Sequence, residues 1–245
     1  MRALLAELGR GLSDVVFPPI CVHCRGIVPS EGVFRAICPR CEPQIERVRA
    51  PHCTTCGHPF YGECVGERMC PHCEGLAPAY REGRTAVLLK GVGRALVHEL
   101  KYHRGLHVLR DLEEIFRQSP HVLALVREAW LVPVPLHPRK QRERGYNQSA
   151  LVAECLANAA GGATRVVHLL SRELDTVSQT KHDRKTRQAN LRNAFALAKG
   201  ASITADRHLV LVDDVFTTGS TLNSCALTLR RAGALNLDVV TFGHG

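Results

Sequence analysis

A chain of 245 residues, 45% hydrophobic and 22% charged, is an ordinary globular composition with material for one sizeable core and a smaller unit beside it. No apolar run reaches the length of a membrane span, which excludes a helical membrane protein. Lys and Arg exceed Asp and Glu by nine; that balance suits nucleic acid, phosphorylated small molecules or solubility alone, so it bounds the partner without naming it.

The first helical stretch, residues 1–16, is interrupted by Glu7, Arg10 and Asp14 and has no small-residue cleavage site. It is therefore not read as a signal peptide, and a cytoplasmic, non-spanning protein is expected. Next come four C-x-x-C pairs: Cys21/Cys24, Cys38/Cys41, Cys53/Cys56 and Cys70/Cys73. Each cysteine of the first two pairs recurs 32 residues later, down to the shared Cys-Pro at Cys38-Pro39 and Cys70-Pro71. The recurrence assigns ligands copy by copy, one all-cysteine tetrahedral zinc site in each, with interleaved pairing of the knuckles as the alternative. Disulfides compete, but regular knuckles in an intracellular chain favour metal, and four protein ligands make the zinc structural. Cys64 is left over as a bystander thiol; His23 and His72 read as surface residues near the metal.

The cysteines all but vanish after Cys73, and Gly75, Pro78 and Gly83 mark a boundary. We expect an N-terminal helix and double zinc ribbon over 1–78 and an α/β domain over 79–245. A strand at 85–90 leads to a helix at about 92–102, and a second helix runs near 107–118. Residues 131–134 form a short strand that Pro133 and Pro135 place at a sheet edge or near a strand end. A helix over 147–160 aligns Leu151, Val152, Cys155, Leu156 and Ala159. Residues 209–212 are apolar throughout, as in a parallel strand covered on both faces. A helix over 220–232 stacks Leu222, Cys225, Ala226 and Leu229, and a strand at 237–242 closes the chain. Cys155 and Cys225 are core residues on this reading. Strands alternating with helices predict a parallel sheet flanked by helices.

The strand at 209–212 runs into Asp213 and Asp214, then into Thr217-Thr-Gly-Ser-Thr221. Loop amides, a helix N-terminus and hydroxyls suit a phosphate, and Gly219 lets the backbone come close. Carboxylates would repel that phosphate unless they grip neutral hydroxyls elsewhere on the ligand, as acids grip ribose in dinucleotide folds. A ribose 5-phosphate has both features. There is no P-loop pattern, and Gly91-Val-Gly93 lacks its third glycine at Leu96.

The stretch from Val210 to Thr221 resembles the phosphoribosyl pyrophosphate (PRPP) signature of type I phosphoribosyltransferases. Val132-Pro-Val-Pro-Leu-His-Pro, the basic run after it, Arg144-Gly-Tyr-Asn-Gln148, Leu100-Lys-Tyr102, and Ser178-Gln-Thr180 to Arg187 with Asn190 and Phe195 are similar to the ComF family of competence-associated, phosphoribosyltransferase-like proteins, as is a zinc-binding region ahead of such a domain. The resemblance implies a type I phosphoribosyltransferase fold. It implies that Asp213 and Asp214 hold the ribose hydroxyls and that Thr217, Thr218, Gly219, Ser220 and Thr221 wrap the 5-phosphate. It implies a pyrophosphate loop at Leu136, His137 and Arg139, with Arg142 and Arg144 at the start of the next helix. A loop over 176–187 would close on the site with Lys181, Arg184 and Lys185, and Mg²⁺ would enter with PRPP. Lys101 and Tyr102 divide between ligand contact and helix-end packing.

No acceptor pocket is spelled out. Three functions follow from the resemblance and the basic surface: a phosphoribosyltransferase with an unidentified acceptor, a PRPP-binding factor in DNA uptake that meets single-stranded DNA, or a partner module for other DNA-uptake proteins at the membrane with a vestigial site. The intact acid pair and loop weigh against the last.

Overall fold

In the computed structural model, which describes residues 18–61, 69–173 and 194–245, the apolar run at 209–212 lies in the middle of a sheet. The elements in chain order are strand β1 (Gly83–Leu88), helices α1 (Gly91–Tyr102), α2 (Leu109–Arg117) and α3 (Pro120–Val126), then β2 (Trp130–Pro133). Helices α4 (Pro138–Arg144) and α5 (Gln148–Ala160) follow, then β3 (Arg165–Val166), β4 (Leu170–Arg172) and β5 (Phe195–Leu197). The chain ends with β6 (His208–Phe216), α6 (Ser220–Arg231) and β7 (Asn236–His244). Five strands form one sheet in the order β1-β7-β6-β2-β3, and every pair in it is parallel. Strands β4 and β5 pair antiparallel, apart from it.

Alternation along β6 explains why no residue of its apolar run is polar. Val210 and Val212 face the core shared with α1, α2 and α5, and Leu209 and Leu211 face the core shared with α6 and the second cysteine repeat. All four are at most 1% exposed, and burial of each such side chain contributes about 1.5–3 kcal/mol. Leu222, Cys225, Ala226 and Leu229 of α6 and Cys155 of α5 are buried as expected. On α5, Ala153 is buried while Leu151 and Ala159 are only half-buried.

Pro133 sits at a strand end inside the sheet, not at its edge. The Val134 N–H reaches Val212 O on β6 at 2.9 Å. By alternation the N–H that proline lacks would face β3, whose pairing with β2 stops at Leu131.

Several expectations are corrected. Strand β6 does not stop at the acids but continues through them to Phe216. The second helix begins as a 3-10 turn, Leu106–Val108. Helix α3 was not anticipated: seven residues are too few to show a helical period, and Pro120 at its first turn supplies the start. Helix α4 is separate from α5, so Arg142 and Arg144 lie in the last turn of a short helix, not at the start of the next. The expected helix at 1–16, Cys64, and the closing segment with Lys181, Arg184 and Lys185 lie outside the described residues. No described helix is long and apolar enough to cross a membrane.

Candidate functional site

The first knuckles of the two cysteine repeats fold alike. Cys21 N–H donates to Gly26 O and Arg25 N–H to Cys21 O; 32 residues on, Cys53 N–H donates to His58 O and Gly57 N–H to Cys53 O. The bridge Ile20–Ile27 recurs as His52–Pro59. Both knuckles need a left-handed residue, Arg25 at φ 61° and Gly57 at φ 76°. The second copy requires glycine, because a Cβ at Gly57 would lie 2.5 Å from Thr85 N on β1.

Ligand atoms of Cys21, Cys24, Cys38 and Cys41 lie within 4.8 Å of one another, and so do those of Cys53, Cys56, Cys70 and Cys73. Cys24–Cys38 and Cys56–Cys70 sulfurs are 3.5 Å apart, near the edge of about 3.8 Å that four Zn–S bonds of about 2.3 Å impose on a tetrahedron. The copy-by-copy grouping holds, each quartet fits a structural zinc, and interleaved pairing is excluded. His23 and His72 are exposed, as expected.

The second repeat is built against the sheet. Thr85 Oγ1 donates to Cys56 O at 2.9 Å and shares a 2.7 Å hydrogen bond with Thr241 Oγ1 on β7. Ala79 N–H donates to Asn223 Oδ1 on α6, and Asn223 Nδ2 donates to Ala77 O. At the end of β7, the His244 ring contacts those of His58 and His72 and stacks on Phe216 at 5.2 Å between centroids.

Phe216 ends β6 and underlies the loop to α6. Gly219 stands at φ 69°, and a Cβ there would lie 2.6 Å from Phe216 Cζ and 3.0 Å from Leu76 Cδ2. Its glycine is thus demanded by the protein beneath as well as by any ligand above. Ser220 starts α6, Thr217 is exposed, and Thr218 Oγ1 lies 3.0 Å from Ser220 Oγ.

The acids have partners from distant parts of the chain. Ser149, in the first turn of α5, donates its hydroxyl to Asp213 Oδ1 at 2.7 Å, and Asp214 N–H donates to the same oxygen at 2.9 Å. Burial pushes the Asp213 carboxyl up to about 7 and the Asp214 charge adds to the rise, while Ser149, Lys101 and the Asp214 N–H pull the other way. Lys101 Nζ, in the last turn of α1, lies 2.5 Å from Asp214 Oδ2. Tyr146 donates its hydroxyl to Leu100 O, and Asn147 Nδ2 donates to Val134 O at 2.9 Å. The segments Leu100-Lys-Tyr102, Val132 to Pro138 and Arg144 to Gln148 therefore converge on one end of β6.

His137 accepts the Arg139 N–H on Nδ1 and so caps α4, while Arg139 pairs with Glu143 along that helix. Arg144 donates to Gln148 Oε1, and Arg142 is exposed. Leu136 lines a cavity of about 330 Å³ with Gln141, Tyr146, Asn147 and His168. Sequence reasoning missed Ser149 and the anchoring role of Tyr146; the only signal was their place in or beside the Arg144 to Gln148 run.

Comparison with known proteins gives a family for each part of the chain. The double zinc ribbon domain family matches residues 12–74, and the phosphoribosyl transferase domain family matches residues 140–242. Competence protein F of Haemophilus influenzae is 28% identical over 225 residues, covering 89% of this chain and 94% of the relative. Competence protein ComFC of Bacillus subtilis is 22% identical over 242 residues, covering 93% of each chain. DNA utilization protein YhgH of Salmonella typhimurium is 31% identical over 228 residues, covering 91% of this chain and 95% of the relative. With a double zinc ribbon ahead of a phosphoribosyltransferase domain, and that likeness along nearly its whole length, the chain belongs to the ComF family.

Proposed function

We propose that this protein binds PRPP at the end of β6 and acts in the handling or uptake of DNA. The observation that supports the reading is the acid pair Asp213–Asp214, partnered by Ser149 and Lys101, directly ahead of the loop Thr217 to Thr221 and the N-terminus of α6. Asp213 and Asp214 would accept hydrogen bonds from the ribose hydroxyls. Thr217, Thr218, Ser220 and Thr221, with the backbone of Gly219, would surround the 5-phosphate, aided by the positive end of the α6 dipole. The backbone of Leu136 and His137 and the guanidiniums of Arg139, Arg142 and Arg144 are assigned to the pyrophosphate, where planar forks suit bidentate contacts. Mg²⁺ bound with PRPP would neutralise the pyrophosphate charge. The ligand-binding unit is placed at 79–245 and the metal-binding unit at 1–78, in a cytoplasmic protein.

The role in DNA rests on the relatives' names, competence protein and DNA utilization protein, and on the excess of nine basic residues. Single-stranded DNA is the expected partner, with an affinity that falls steeply with salt. The deciding experiment is calorimetric titration with PRPP, with and without Mg²⁺, while released pyrophosphate is assayed in the same mixture. Binding with release on addition of a nucleobase makes the protein a transferase. Binding without release, with salt-sensitive capture of single strands, makes it a PRPP-responsive DNA factor. Absence of PRPP binding rejects the site.

A further inference from the structure

Lys101 occupies a carboxylate that the PRPP reading gives to the ligand. Its ammonium is 2.5 Å from Asp214 Oδ2, and the two side chains are only 23% and 6% exposed. The position is fixed from below. Leu100 is fully buried, its carbonyl accepts the Tyr146 hydroxyl, and the His103 N–H closes α1 on Glu99 O. Asp213 is held differently, by the Ser149 hydroxyl and the Asp214 N–H. Among the described residues Lys101 is the cation paired with the acids. Covered this far, the pair is screened by salt and water much less than a surface ion pair.

We propose that Lys101 is the resident counter-cation of the acid pair, holding Asp214 so that a divalent metal enters the site only together with a phosphorylated ligand. The Asp214 carboxylate, at the edge of a partly dry site, is a hard oxygen ligand that a free divalent ion would otherwise contact. A metal arriving alone must displace an ammonium already in contact. A ligand that brings phosphates offers that ammonium a new partner, and the flexible four-carbon stem of lysine lets it turn from carboxylate to phosphate. The ion pair is then exchanged rather than lost. This role rests on the assignment of Asp213 and Asp214 to a PRPP site.

The test uses Mn²⁺ as the probe, added without ligand to the full-length, zinc-loaded protein and followed by electron paramagnetic resonance. Lys101→Met is expected to gain a Mn²⁺ site about tenfold tighter than any in the wild type, as removal of one contacting charge allows. Lys101→Arg should keep the metal out, and Asp214→Asn placed on Lys101→Met should abolish the new site. If the Met variant does not fold, Lys101→Gln is read in the same way. Equal Mn²⁺ affinity in wild type and the neutral variant overturns the proposal. Failure of the wild type to bind PRPP with any metal overturns the PRPP assignment instead, a result read separately from the Mn²⁺ comparison.

Discussion

The Ser149 hydroxyl donates to Asp213 Oδ1 across 64 residues of sequence, at 2.7 Å. That hydrogen bond stabilises the ionised carboxylate against burial and the Asp214 charge, which together raise it to about 7. A folded-state value above the unfolded one means the native protein binds the extra proton, so this group's contribution to stability declines as pH rises from about 4 to about 7. On the proposed reading ligand binding would run the other way, because a ribose hydroxyl would donate to the ionised form. PRPP affinity should therefore fall as pH drops through about 7. Ser149→Ala should move that midpoint upward by about one pH unit, the order of a hydrogen bond to a charged group. Calorimetry over a pH series reads the shift, and coincident midpoints would show that the hydroxyl does not tune the acid.

Gly219→Ala should damage ligand binding more than a left-handed backbone alone explains. The backbone conformation costs an alanine about 1–2 kcal/mol, and a Cβ 2.6 Å from Phe216 Cζ adds about 1–3 kcal/mol of overpacking. Gly200 is the control, since it is also left-handed, at φ 77°, and a Cβ there would meet nothing within 4 Å. Gly200→Ala should lower the melting temperature slightly and leave PRPP affinity intact. Equal losses in the two variants would remove the steric argument.

The thiol quartets should differ in their effect on the ligand site. From the second quartet, His72 and His58 reach His244, His244 stacks on Phe216, and Phe216 lies beneath Gly219. Metal analysis should find two zincs per chain. Cys73→Ser and Cys24→Ser should each reduce the count to one, but only Cys73→Ser should weaken PRPP binding. Equal weakening in both would mean that the ribbons act on the loop as one unit.

Asp111 fastens the first repeat to α2. Its carboxylate is fully buried and accepts the Arg35 and Ala36 N–H groups at 2.8 Å each. Burial pushes its pKa up while those two bonds pull it down. Asp111→Ala strands both N–H groups and should destabilise by about 2–5 kcal/mol. Because the contact lies beside Cys38, a mild chelator should then extract zinc from the first quartet before the second. Simultaneous loss would place the anchor elsewhere.

How much of this was legible depended on the distance between cause and effect. The run Leu209 to Val212 announced a strand buried on both faces because each residue's own character reports its burial. The recurrence at 32 residues carried the zinc grouping, since ligands of one quartet lie close in sequence. The acid pair and its loop were visible as a contiguous string. Ser149 and the partner of Lys101 were not, because only the packing of α1 and α5 against β6 brings them to the acids. Strand β3 escaped notice because two residues cannot show a period, and β5 because its pairing with β4 is set by contacts distant in sequence. Pro133 was half legible: its missing donor signalled an end of pairing, while neighbours on both sides of β2 are a property of the folded sheet.

Asp238 gives the contrasting prediction, since it marks the opposite end of β7 from the proposed ligand site. Its fully buried carboxylate accepts from Arg81 Nη2 at 2.7 Å, from Glu82 N–H at 3.0 Å, and lies 2.8 Å from His208 Nε2. Burial alone would raise its pKa, but His208, Arg81 and the Glu82 N–H outweigh that and hold it below the ordinary value. A depressed folded-state pKa means stability that is full above the unfolded value, near 4, and lost as pH falls through the folded value. Asp238→Asn should remove that acid-side dependence and, by leaving Arg81 and His208 without their carboxylate, cost about 2–4 kcal/mol at neutral pH. PRPP affinity of the folded variant should match the wild type, because Asp238 pairs with Val210 on β6, three residues before Asp213. Thermal melts from pH 3 to pH 8 with parallel titrations of PRPP separate the two effects. A variant that melts like the wild type below pH 4 but binds PRPP poorly would show instead that the two ends of the strand are coupled.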